Sequence, residues 1–131
     1  MKSIDQFEAE APILQKSIDL YKELYEYLKL FPKKDQYLLG KRCEEVILDF
    51  LEYILFAASS SREPKLQALQ KANAKFDLLK ALLRIARELK MIDNKKYLSL
   101  ETKIHDVGRQ LGGWIKSTSR ISETLPAEGA P

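Results

Sequence analysis

Apolar residues recur at steps of three and four along most of the chain, the spacing that places side chains on one face of an α-helix. Leu14, Ile18, Tyr21, Tyr25 and Leu28 form the first such stripe. It breaks at "FPKKD", where Pro32 disfavours helical geometry at Phe31. Leu39, Cys43, Val46, Phe50, Tyr53 and Ala57 form a second stripe, which ends at "SSSREPK". There Ser60 or Ser61 is expected to cap the next helix. A long third helix from Pro64 to Met91 carries Leu79, Leu82, Leu83, Ala86 and Leu89. After "MIDNKK" the last helix follows, with Leu100, Ile104, Val107, Leu111 and Ile115 inward. No segment alternates with period two. The breaks are short, so neighbouring helices should run antiparallel. The fold class predicted is all-α: an up-down-up-down four-helix bundle over residues 11–121. Residues 1–10 are expected as a flexible N-terminal segment, and "SETLPAEGAP" (Ser122–Pro131) as a disordered tail.

Two features exceed what a monomeric bundle needs. The second helix carries Leu48, Leu51 and Leu55 on nearly the opposite side from its core stripe. A second apolar stripe suggests burial against another copy or another protein. The last helix carries Gly108, Gly112 and Gly113 beside Trp114, although an interior glycine costs about 0.5–1 kcal/mol relative to alanine. Gly108 and Gly112, four apart at the edge of the core stripe, are expected to let two helices approach closely. Gly113 lies beyond them, level with Arg109 and Lys116, where its lack of a side chain would admit a partner.

Composition narrows the class. A chain of 131 residues with 45% hydrophobic and 31% charged side chains fits one globular domain. The single cysteine, Cys43, excludes an internal disulfide. "MKSIDQFEAEAP" has no apolar signal core, and "VILDFLEYILFAA" is interrupted by Asp49 and Glu52. A membrane span takes about 20 residues. The expectation is a cytoplasmic protein without membrane contact. Net charge is only +3, but residues 63–92 hold seven basic and three acidic side chains. Lys80, Arg84 and Arg87 share one narrow face of the third helix, with few acidic neighbours to neutralise them. Arg109, Lys116 and Arg120 share a face of the last helix, with His105 alongside. Such stripes serve either as solvated surface or as a contact for nucleic acid or an acidic protein.

Catalytic signatures are missing. His105 is the only histidine and has no Cys/His/Asp cluster at metal-ligand spacing. Cys43 lies on a core stripe, where it reads as buried filler. "LGGW" lacks the strand–loop–helix setting of a phosphate loop. "CEEVILDFLE" offers carboxylates, but the Glu-x-x-His of di-iron bundles is absent. The six tyrosines could stack on bases, yet at helical spacing they read first as core or interface. The expectation is a protein that is not an enzyme and holds no cofactor or metal.

"FPKKDQYLLGKR" and "FDLLKALLRIARELKMIDNKKYLSLETKIHDVGRQLGGWIKS" resemble the accessory variability determinant (Avd) proteins of diversity-generating retroelements. These belong to the bacterial four-helix-bundle family that includes proteins encoded in intervening sequences of 23S ribosomal RNA genes. The resemblance runs from Phe31 to Ser117. It implies a ring-like homo-oligomer, a homopentamer with a basic surface and no catalysis of its own. It implies binding to the retroelement's reverse transcriptase and its template-repeat RNA, with DNA left open, in support of mutagenic retrohoming. The basic positions that match are Arg84, Arg87 and Arg109, with Lys80 and Lys116 beside them. The alternative is a bundle of the intervening-sequence type with an unassigned structural or interaction role.

Overall fold

The computed structural model describes residues 12–124, with side chains to Arg120. Its long helices are α1 (Ile13–Leu28), α2 (Lys41–Ala58), α3 (Arg62–Glu88) and α4 (Asn94–Thr124). No strand occurs among the described residues. Each helix packs on its neighbours in sequence, and α4 closes against α1. The arrangement is the expected up-down-up-down bundle. The expected flexible N-terminal segment, residues 1–10, lies outside the described residues. Of the expected tail, Ser122–Pro131, the first three residues instead continue the helical backbone of α4 to Thr124, and the rest lies outside the described residues.

The core is aliphatic. Val46, Ile47 and Ile54 of α2 meet Leu69, Leu79 and Leu83 of α3 and Leu100, Val107 and Leu111 of α4. Phe50 and Phe76 join α2 to α3 with ring centroids 5.1 Å apart. Cys43 is fully buried, and burial pushes its thiol up to about 12. A thiol held protonated in this way is an inert packing group.

On α1 the buried stripe differs from expectation. Leu14 and Leu28 are buried as expected, but Ile13, Ser17, Leu20 and Leu24 complete the core face, whereas Ile18 and Tyr21 lie at its margin and Tyr25 is exposed. The stripe is turned by roughly 70°, at 100° per residue. The cause is polarity at the ring tips: leucine has nothing to solvate, but a buried tyrosine must find a partner for its hydroxyl. Tyr21 donates a hydrogen bond to Glu44 Oε1 on α2 at 3.0 Å. Leu89, expected in the core, is the exposed residue that ends α3.

The connections are built by side chains and special backbone. After α1, a helical turn at Lys33–Asp35 runs through one π-helical turn, Gln36–Gly40, straight into α2. Gln36 Nε2 donates to the carbonyls of Lys29 (3.1 Å) and Phe31 (2.8 Å), satisfying groups that α1 leaves open at its end. Gly40 is buried there, and a Cβ on it would press the Asp35 carbonyl oxygen at 3.3 Å. Between α2 and α3, Ser61 is the N-cap residue, but its side chain makes no capping bond. Ser59 and Ser60 instead donate to the Phe56 carbonyl, closing α2. Lys90 takes a left-handed conformation after α3, with φ 61°. Asp93 then accepts the Lys96 backbone N–H at 2.8 Å, at the start of α4.

Candidate nucleic-acid and partner interface

Lys80, Arg84 and Arg87 project outward from α3, and all are exposed. Each is engaged. Lys80 Nζ lies 3.0 Å from Asp77 Oδ1, and Arg84 Nε lies 3.2 Å from Glu88 Oε1. The Arg87 guanidinium sits 4.9 Å from the ring centre of Tyr97, at the start of α4. The acids within the helix therefore do neutralise part of the stripe, against the sequence expectation. Asp77 and Glu88 lie three and four residues from their cations, where helix geometry makes side chains neighbours. Exposed pairs of this kind contribute about 0–1 kcal/mol, so a phosphate can replace either carboxylate.

The stripes of α3 and α4 adjoin. Lys80 and Arg109 line one surface groove of about 760 Å³, with His105 and Asn73 on its walls and Phe76 beneath. Glu101 and Asp106 line it as well, and Asp106 Oδ1 holds Arg109 Nη2 at 2.8 Å. The groove carries both signs of charge. Lys116 and Arg120 continue the α4 stripe beyond it, and both are exposed. Lys116 has no ion pair among the described residues.

The glycines divide differently from expectation. A Cβ on Gly108 would meet Phe76 Cε2 at 3.4 Å, so this glycine packs directly against α3. At Gly112 an added Cβ meets nothing within 4 Å. The close helix approach expected there is not made among the described residues. Four residues advance the helix by about 40° beyond a full turn, which carries Gly112 from the packed edge to the open side. Gly113 is equally open, so the two form a bare, exposed strip of α4 between Arg109 and Lys116. Trp114 is half-buried and lines a hollow with Ser61, Lys65 and Ser117, the Lys65 ammonium lying 5.9 Å from its ring centre.

The apolar stripe of α2 is real but uneven. Leu48 and Leu55 are 45% and 39% exposed, while Leu51 is half-buried and packs on the core. On α1 the displaced Ile18, Tyr21 and Tyr25 are also left outside the core. The Tyr21–Glu44 hydrogen bond ties that side of α1 to α2.

Two features escaped the sequence. Tyr97 is a cation–π partner for Arg87, and spacing across two helices gave no signal of it. Leu30, Tyr37 and Leu38 are strongly exposed at the α1–α2 connection. The run "FPKKDQYLLGK" signals part of this, because Tyr37 and Leu38 follow a proline break and belong to neither flanking stripe.

Among the described residues no group of histidine, cysteine, aspartate and glutamate could hold a metal ion. No helix there is long and apolar enough to cross a membrane. No curated protein matches the chain. A family model described as bAvd-like matches residues 12–118.

Proposed function

Because the chain belongs to the bAvd-like family of bacterial accessory variability determinants, we propose that it is the accessory protein of a diversity-generating retroelement. In this reading it binds the reverse transcriptase and the template RNA and supports mutagenic reverse transcription as a ring-like homopentamer. The observation that carries the reading is the extent of the match, which spans α1, α2, α3 and most of α4. The joined faces of α3 and α4 support it. Lys80, Arg84, Arg87, Arg109, Lys116 and Arg120 supply cations for a phosphate backbone, and the bare Gly112–Gly113 strip lets that backbone or a partner come close. Helix faces of this kind contact phosphates without reading base edges.

The test is co-expression with the retroelement's polymerase, followed by co-purification and a mass measurement, beside RNA binding at several salt concentrations. The expected result is a stable complex with the polymerase, together with RNA affinity that falls steeply with salt. That affinity should differ little between unrelated RNAs of equal length. A wild-type protein that retains neither polymerase nor RNA overturns the reading and leaves a bundle of the intervening-sequence type.

A further inference from the structure

The strongest unpaired charge lies at one end of the bundle, away from the groove. The Lys75–Asp49 ion pair (3.1 Å) sets the register of the antiparallel α2 and α3. It brings the 29–41 connection level with the end of α3 and the 89–93 turn. Lys33, Lys34 and Lys41 project from the first connection, and Lys90 and Lys95 from around the second. All five are exposed and make no ion pair among the described residues. Four large apolar side chains stand among them: Leu30 (60% exposed), Tyr37 (67%), Leu38 (66%) and Leu89 (62%).

We propose that this end of the bundle docks an acidic protein segment that also carries apolar side chains. Charge complementarity sets the sign of the partner: the five unpaired lysines outnumber the carboxylates of these two connections, Asp35 and Asp93, and Asp93 is already held by Lys96 at 2.8 Å. The aliphatic side chains set its class. Leucines cannot stack on bases, whereas exposed leucine and tyrosine among lysines match a protein face of mixed apolar and acidic side chains. Resting on the function proposed above, the inference makes this partner the reverse transcriptase, held here while RNA occupies the α3–α4 face.

Two double variants test it, Tyr37→Ser/Leu38→Ser and Lys33→Glu/Lys34→Glu. All four side chains are exposed, so both proteins should keep wild-type helicity and assembly mass. Expected is at least a tenfold loss of polymerase affinity in each, with affinity for template RNA changed less than about threefold for the serine pair. Polymerase binding that matches the wild type overturns the inference. So does a fall in RNA affinity with polymerase binding intact, which makes the end a nucleic-acid surface, or a drop in assembly mass, which makes it a seam between copies. If the wild type captures no polymerase, the functional reading fails separately. The docking end is then decided by an amphipathic helical peptide of glutamate and leucine. Binding to wild type with at least tenfold loss in the serine pair supports it, and equal or absent binding overturns it.

Discussion

Ser17 is fully buried on the same face of α1 as Leu20 and Leu24, and its hydroxyl has no hydrogen-bond partner among the described residues. A buried polar atom without a partner costs about 1–3 kcal/mol, and an apolar group of the same shape removes the cost. Ser17→Ala should therefore stabilise the protein by about 1 kcal/mol, read as a higher midpoint in thermal or urea unfolding. An unchanged or lower midpoint would show that the hydroxyl is satisfied. Single residues were the hardest to read from the chain. Gly108, Gly112 and Gly113 look alike in sequence, yet one packs on Phe76 and two face open space. A rotation of some tens of degrees about the helix axis separates these fates, and side-chain spacing does not resolve it. Ser17 shared the difficulty: a serine within an apolar face carries no mark of burial.

Helices were legible because their apolar positions are periodic and their breaks hold proline or polar clusters. The α1 face was misjudged because two arcs overlap on it, one of leucines and one of tyrosines, and hydrophobicity alone weighs them equally. Beside the shared apolar core, α1 and α4 are joined by a polar contact that periodicity cannot show: Lys103 Nζ lies 2.8 Å from Glu23 Oε1. Burial opposes the charge on Glu23, but hydrogen bonds led by Lys103 outweigh it and hold the carboxyl below the usual glutamate range. The same contact raises Lys103. The signs give the pH window. A lowered carboxyl stabilises the fold above its unfolded pKa, and that contribution is lost as pH falls through the folded value. A raised ammonium contributes fully below its unfolded pKa and loses this in strong alkali. Stability should therefore be flat near neutrality and fall on acidification. Glu23→Gln should shrink that acid-side fall while lowering stability at pH 7. Urea midpoints at pH 4 and pH 7 decide it. An acid-side loss equal in both proteins would remove Glu23 from the account.

For the whole molecule, the bundle and its topology followed from the sequence, whereas the surface did not. The basic stripes do adjoin, but the carboxylates that meet Lys80, Arg84 and Arg109 come from the helices that carry them. The apolar side of α2 is better tested at Leu48 than at Leu51, since only Leu51 also packs on the core. If that side seals a seam between copies, Leu48→Asp should lower the solution mass with helicity retained, because a buried unpaired charge costs several kcal/mol. Light scattering and circular dichroism read both quantities. A mutant of unchanged mass places the seam elsewhere.

The order of contacts along the bundle also bears on how the chain reaches its native state. The Phe50–Phe76 contact joins α2 and α3 through a single tight connection. Glu23 and Lys103 lie 80 residues apart. Contacts between near neighbours cost less loop-closure entropy and tend to form first. The α2–α3 hairpin should thus be the nucleus, with α1 and α4 closing on it last. Phe50→Leu should then slow refolding, whereas Glu23→Gln should chiefly speed unfolding. Stopped-flow fluorescence of Trp114 can follow both. The opposite partition would place the nucleus in the α1–α4 pair.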